Sequence, residues 1–297
     1  MICIGVDAGG TSTHVALSVN GALERETRAA GANVTTIGVD AAATIITAAM
    51  RELLAGAEPS AIYIGAAGAG RAPIAVGLRE RIAAAFPRTR LAVGDDATIA
   101  LRAAIPQGDG AVLIAGTGSV AYAVYGERAE RRGGLGYLAG DEGSAFWIGM
   151  QAVKLYGRVL DGRVTADETT ALVGRALDAA DREHFVAALY DAPLDPARIA
   201  SVAPAILELA GTGNRASTKI VQQAAQELGD LVRAVLKAVE RHDASPVVAF
   251  AGGLLRENSL LSFLLETRLI GDVAGITIVK GGDDPVRGAL RLSEALR

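Results

Sequence analysis

Two stretches of this chain carry the same device. Ala8–Gly21 reads A-G-G-T-S-T-H-V-A-L-S-V-N-G, and Ala115–Gly126 reads A-G-T-G-S-V-A-Y-A-V-Y-G. Each opens on a kink rich in Gly, Thr and Ser, continues as an apolar run and ends at a turn glycine. A charged return follows both, A-L-E-R-E-T-R in the first and E-R-A-E-R-R in the second. Both therefore predict hairpins, and Asn20-Gly21 is a favoured two-residue hairpin turn. A device used twice in one chain points to a duplicated unit, with each copy presenting its glycine kink to a shared ligand.

The surrounding pattern repeats as well. I-C-I-G-V-D is a short apolar strand ahead of the first hairpin. Helical spacing from Asp40 to Leu54, the strand A-I-Y-I-G-A-A, the helix L-R-E-R-I-A-A-A-F, the strand L-A-V-G-D-D and the helix A-T-I-A-L-R-A-A follow. The order restarts at Gly110 with G-A-V-L-I-A-G. It ends with the strands P-V-V-A-F-A-G-G and G-I-T-I-V-K-G-G around the helix S-L-L-S-F-L-L-E-T-R, then a last helix opening at Pro285. This predicts an α/β fold with a first domain over residues 1–107 and a larger second one over 108–297. Helices at about 165–210 form an insertion in the second, and the C-terminal helix at 285–297 is free to pack back on the first.

Composition narrows the function. The chain has 297 residues, a net charge of −4, 51% hydrophobic and 21% charged residues, and no basic stripe, which argues against a nucleic-acid partner. Its single cysteine, Cys3, excludes a disulfide framework or a self-contained iron–sulfur cluster, and its apolar neighbours predict a buried thiol. No basic leader precedes Asp7 and no uncharged run reaches membrane-spanning length, so the expectation is a cytoplasmic protein without membrane contact.

A Gly- and Thr-rich bend after a strand exposes successive backbone N–H groups, which make an anion cradle. A pair of them suits a polyphosphate, although either bend alone reads as well as a tight turn. Asp7, at the end of the first strand, is placed to hold Mg²⁺ through water. There is no G-x-x-x-x-G-K-[ST] loop, and Gly65–Gly70 has the wrong glycine order for a dinucleotide fingerprint. Asp95-Asp96 and Asp141-Glu142 are candidate acids, and each pair reads equally as a helix N-cap. His14, His184 and His242 are scattered, so histidine catalysis is not supported.

Taken together, these residues resemble the acetate and sugar kinase/heat-shock chaperone/actin superfamily, within it the BadF/BadG-type ATPases, and among those most of all the N-acetylglucosamine kinases. G-V-D-A-G-G-T-S-T resembles the first phosphate motif and I-A-G-T-G-S the second. A-G-G-L resembles the adenosine motif and D-P-V-R-G-A-L the C-terminal helix. G-D-E-G-S-A-F-W-I is the most specific match.

The resemblance implies two ribonuclease H-like (actin-like ATPase) domains with an interdomain cleft, and ATP and Mg²⁺ as cofactors. It implies Gly9, Gly10, Thr11, Gly116, Thr117, Gly213, Gly252 and Gly253 around the nucleotide. Asn33, Gly118, Ser119, Gly133, Gly134, Leu135 and Asp141 would meet the sugar, and Asp96 would be both substrate ligand and catalytic base.

The implied activity is phosphorylation of an aminosugar, N-acetylglucosamine at its C6 hydroxyl first. Glucosamine, N-acetylmuramic acid or another hexose are the alternatives, and a nucleotide-switched regulator is the rival of another class. Leu135 stands where the family usually has tryptophan, which bears on the acetamido end of the substrate. Lone Cys3 sets aside the dehydratase activators, whose iron–sulfur cluster lies between subunits. The resemblance is compatible with a homodimer through the larger domain.

Overall fold

The computed structural model describes residues 1–239 and 245–296, and the chain divides into two compact units, Met1–Gly108 with Gly282–Arg297 and Asp109–Gly281. In unit one, β1 (Ile2–Ala8), β2 (Ser12–Val19) and β3 (Ala22–Ala30) form an antiparallel meander. Asn20 and Gly21 turn the β2–β3 hairpin at φ of 52° and 84°, the positive pair that a type I′ turn requires. The chain continues through α1 (Val34–Ile37), α2 (Val39–Leu54), β4 (Ala61–Ala66), α3 (Ala72–Ala85), β5 (Arg90–Asp95) and α4 (Asp96–Ala104). β4 lies parallel to β1, and β5 parallel to β4, giving the order β3-β2-β1-β4-β5.

Unit two begins with the same meander, β6 (Gly110–Ala115), β7 (Ser119–Tyr125) and β8 (Arg128–Gly133). Six helices follow: α5 (Ala145–Leu160), α6 (Glu168–Leu177), α7 (Arg182–Tyr190), α8 (Pro196–Ala200), α9 (Ala203–Gly211) and α10 (Arg215–Ala238). Then come β9 (Val247–Ala251), α11 (Leu260–Asp272) and β10 (Thr277–Val279). β9 pairs parallel with β6, and β10 parallel with β9. Read from its meander edge, the sheet is β8-β7-β6-β9-β10, which matches unit one strand for strand. Two ribonuclease H-like units of one winding account for the repeated device in the sequence. They differ at one crossover, where α1 and α2 in unit one correspond to the six helices of unit two.

The insertion coheres through its own polar contacts. Asp167 and Thr170 close a capping box at the start of α6. The buried Thr169 hydroxyl lies 2.7 Å from Ser217 Oγ and donates to Asn214 Oδ1 at 2.9 Å, tying α6 to α10. Tyr156 and Phe185 meet edge to face, with ring centroids 5.5 Å apart.

The last helix, α12 (Pro285–Ala295), belongs to unit one, where it packs against α4, β1 and β4. β1 is thereby covered on both faces, as its unbroken apolar run requires. Ile4, Val6 and Ala8 belong to the core that contains Ile46, Met50, Leu78 and Ile82. The opposite face carries Gly5, where a β-carbon would lie 2.4 Å from the Leu290 nitrogen. At Gly288 a β-carbon would lie 1.9 Å from the Ile99 carbonyl oxygen of α4. Backbone meets backbone at both points, so neither position has room for a side chain.

Two helical glycines should therefore respond oppositely to alanine. Gly288→Ala forces α12 off α4 and is expected to destabilise by about 1–3 kcal/mol, the usual cost of overpacking. Gly271→Ala, in α11 with no atom within 4 Å of the added carbon, should gain up to ~1 kcal/mol from helix propensity. Urea denaturation of the two variants checks the sign of each.

Candidate functional site

The parallel strands β1, β4 and β5 end in register, Asp7 beside Gly65 and Ala66 beside Asp95. This is the edge where open α/β sheets receive ligands. Immediately past β1 the chain makes its first bend, closed by the Gly9 N–H on the Ser12 carbonyl at 3.0 Å. Gly10 and Thr11 stand exposed at its tip. Asn33 caps α1, its Oδ1 accepting from the Thr35 backbone N–H at 2.9 Å and from the Thr35 hydroxyl at 2.6 Å. The Val34 N–H reaches the Ala67 carbonyl at 3.2 Å. The Gly65–Gly70 loop, with the wrong glycine order for a dinucleotide, thus serves as a backbone seat for the Asn33 turn.

The two acids after β5 have different jobs. Asp95 is the N-cap of α4, its Oδ1 accepting from the Thr98 N–H at 2.9 Å and from the Thr98 hydroxyl at 2.8 Å. Asp96 is the first helical residue, and its field acts on Asp7. At the other end of α4, Arg291 donates to the carbonyls of Arg102 and Ala103 at 2.9 and 3.0 Å. Cap and guanidinium together fix the helix that carries Asp96.

A third carboxylate joins them, and the sequence reading passed it over. Asp284 caps α12, its Oδ1 accepting from the Val286 N–H at 3.1 Å. Its Oδ2 lies 3.2 Å from the buried His14 Nδ1 and 3.4 Å from Arg28 Nη2. His14 sits opposite Asp7 in the β1–β2 ladder, and its other ring nitrogen is 3.5 Å from Glu26. The signal available in sequence was the Asp-Pro pair at a helix start, which reads as a cap and nothing more.

Burial, reinforced by Asp284 and Asp96 and opposed by Arg28, pushes the Asp7 carboxyl up to about 6. Among the described residues, no group of three or more His, Cys, Asp or Glu side chains forms a metal cage. The donor set at Asp7, one carboxylate beside a bend of backbone amides, fits an ion that keeps waters and shares phosphate oxygens.

Unit two builds its second bend differently. The Gly116 N–H closes it on the Gly118 carbonyl at 2.9 Å, leaving Thr117 exposed at the tip. The first turn of α5 docks on it, with the Ala145 N–H on the Gly116 carbonyl at 2.9 Å and the Phe146 N–H on the Thr117 carbonyl at 3.2 Å. Gly252, at φ 91°, packs against β6 so closely that a β-carbon would lie 2.3 Å from the Ala115 carbonyl oxygen. Gly253 beside it is exposed, and Gly213 stands in the α9–α10 turn.

Asp141 adopts a left-handed φ of 60°, which turns its carboxylate onto the bend. Its Oδ1 accepts from the Ser119 N–H at 3.3 Å, and the Ser119 hydroxyl donates to the Glu142 carbonyl at 2.8 Å. A β-carbon on Gly118 would lie 2.9 Å from the same carboxylate. The Gly134 N–H bonds the Ser119 carbonyl at 2.8 Å, which brings in Gly133 and Gly134. Burial raises the Asp141 carboxyl against the lowering pull of the Ser119 amide. Leu135, at the exposed end of this segment, is 74% accessible. His184 is an exposed side chain beside Asp181, and His242 lies outside the described residues.

A family model for the BadF/BadG/BcrA/BcrD ATPases matches residues 4–293. The chain belongs to this family. It is 28% identical, over 98% of both chains, to the N-acetylmuramic acid/N-acetylglucosamine kinase of Clostridium acetobutylicum. It is 26% identical to the N-acetyl-D-glucosamine kinase of Dictyostelium discoideum, over 98% of this chain and 97% of that protein. A solved structure from Chromobacterium violaceum, described as a candidate N-acetylglucosamine kinase, superimposes with a TM-score of 0.77 at 26% identity, over 98% of each chain. These ATPase-family likenesses run the length of the chain and include both bends. Among the described residues no helix is long and apolar enough to cross a membrane.

The raised Asp7 has a direct consequence for stability. A folded state that holds this proton more tightly than the unfolded chain is favoured below the ordinary value of 3.8, and the advantage is lost as pH rises through about 6. Asp7→Asn should therefore stabilise the ligand-free protein at neutral pH, by at most about 3 kcal/mol less solvent screening. The gain should vanish in acid. Melting curves of both proteins at neutral and acid pH test this, and a variant less stable than the parent at both would contradict it.

Proposed function

We propose that this chain is an ATP-dependent aminosugar kinase acting on N-acetylglucosamine at the C6 hydroxyl. The observation that carries the reading is the division of labour after β5, where Asp95 caps α4 while the charge of Asp96 acts on Asp7. A kinase of this type needs one carboxylate to accept the proton of the attacking hydroxyl and another near the phosphates. The kinase names of the relatives from C. acetobutylicum and D. discoideum support the same reaction class.

In this reading the exposed bends at Gly9–Thr11 and Gly116–Thr117 offer amide and hydroxyl donors to the triphosphate, and Gly252, Gly253 and Gly213 flank the rest of the nucleotide. Asn33, Gly118, Ser119, Gly133, Gly134, Leu135 and Asp141 orient the sugar. Asp96 hydrogen-bonds the reacting hydroxyl and takes its proton as oxygen bonds to the γ-phosphorus and ADP departs. Asp7 would hold Mg²⁺ through water, and the ion, when bound, offsets phosphate charge.

Leu135 gives a second choice of sugar a specific basis. An exposed aliphatic side chain where the family has an aromatic ring removes one wall for an acetamido group, which favours glucosamine or a plain hexose as the runner-up substrate. N-Acetylmuramic acid, which keeps the acetamido group, stands as an alternative on the name of the C. acetobutylicum relative alone.

Two measurements test the proposal. Hexoses and aminosugars supplied with ATP and Mg²⁺, scored by ADP release and by the carbon phosphorylated, should give strongest turnover on N-acetylglucosamine. Slow hydrolysis indifferent to every sugar would instead mark a nucleotide switch. Asp96→Asn should cut kcat by about 10²–10⁴-fold, the range of general-base catalysis, with ATP affinity little changed. A variant that keeps most of its turnover removes Asp96 from the role.

A further inference from the structure

Unit two contains a groove of about 760 Å³ between α5, the segment leading into α6, and the first turns of α10. None of the residues assigned above to nucleotide, sugar, metal or catalysis lines it. Lys154 and Arg158 reach it from α5, one turn apart, and Arg215 and Lys219 from α10, also one turn apart. Among the described residues none of these four cations forms an ion pair with an acid.

The contrast within the same unit is sharp. Arg163 and Arg182 share Asp161, and Arg233 and Arg268 share Asp230 and Asp272. The acid that does line the groove, Asp167, is committed elsewhere. Its Oδ1 accepts from the Thr170 N–H at 3.0 Å and its Oδ2 from Asn214 Nδ2 at 3.4 Å.

This arrangement works against the fold. Like charges one helical turn apart repel. Arg215, the first residue of a 24-residue helix, sits at the positive end of the helix dipole. The compensation that fits is an anion bound from solution. The volume lies within the range of about 300–1,000 Å³ typical of small-molecule sites. Leu155 and Ile220 add apolar surface for a carbon skeleton, and two facing pairs of cations suit phosphate groups, which guanidinium forks bind in bidentate fashion.

We propose that this groove binds a small phosphorylated metabolite, with Lys154, Arg158, Arg215 and Lys219 on its phosphate oxygens. The site is independent of the kinase assignment and of the residues that carry it.

Fructose 1,6-bisphosphate is the probe, titrated calorimetrically into the whole protein without added nucleotide. One equivalent should bind at low salt, and the affinity should fall as ionic strength shortens the screening length to about 8 Å. The double variant Arg158→Gln/Lys219→Gln should bind about tenfold or more weakly, a difference well outside the error of a Kd. Without the probe it should melt no lower than the parent, which separates lost binding from lost folding. Lys237→Gln, an exposed cation on α10 outside the groove, should bind as the parent does. Absence of binding, or equal weakening in the Lys237 variant, overturns the proposal. So does a change in the sedimentation of the ligand-free double variant, which would make the groove a contact between protein copies.

Discussion

The contact on which unit one depends is backbone against backbone. Gly5 of β1 and Gly288 of α12 let the last helix of the chain lie directly on the first strand and on α4. Three consequences follow from that one approach. The apolar run of β1 is sealed on its second face. Arg291 reaches the carboxyl end of α4 and holds the helix whose first residue is Asp96. Asp284, at the helix start, comes beside His14 and within the field of Asp7. The ends of the chain are therefore part of the site, and the stability of unit one and the geometry of its acids share one cause.

The two units are alike in winding and unlike in what the winding carries. Both meanders make their first turn at a glycine bend closed by its own amide, Gly9 on Ser12 and Gly116 on Gly118. Unit one sets carboxylates at its strand ends, and burial leaves Asp7 reluctant to ionise. Unit two seats the first turn of α5 on its bend and lays Asp141 over Gly118. In the proposed reading the proton-accepting group belongs to one copy and a ligand-orienting carboxylate to the other. Duplication supplied two frames, and the chemistry divided between them.

Much of this was legible in the chain itself, for physical reasons. Hairpins announce themselves locally, by alternating burial and by a turn whose positive φ calls for Asn-Gly, so the repeated meander and the two-unit fold could be read directly. A helix cap is local as well, but adjacent acids compete for it. That Asp95 rather than Asp96 takes the Thr98 amide depends on where α4 begins, a boundary that pattern does not resolve to one residue. Asp284 was out of reach because its neighbours His14 and Asp7 come from the opposite end of the chain. The cation groove escaped notice for a similar reason, since its two pairs look like ordinary solvated helix faces until α5 and α10 are placed side by side.

The crowding of acids at Asp7 also constrains how a kinase of this construction must bind its nucleotide. Asp7, Asp96 and Asp284 gather negative charge at the strand edge where the triphosphate is proposed to lie, and Arg28 offsets only part of it. Amide donors of a glycine bend carry partial charge and cannot cancel that field alone. A divalent cation removes the conflict, because it turns repulsion between carboxylate and phosphate into shared attraction. The same ion would draw Asp7 back towards its ionised form, since an opposite charge favours the carboxylate. Nucleotide affinity, metal occupancy and the protonation of Asp7 are then one linked equilibrium. In the proposed reading, the repulsion among Asp7, Asp96 and Asp284 is what makes the site selective for nucleotide with its metal over nucleotide alone.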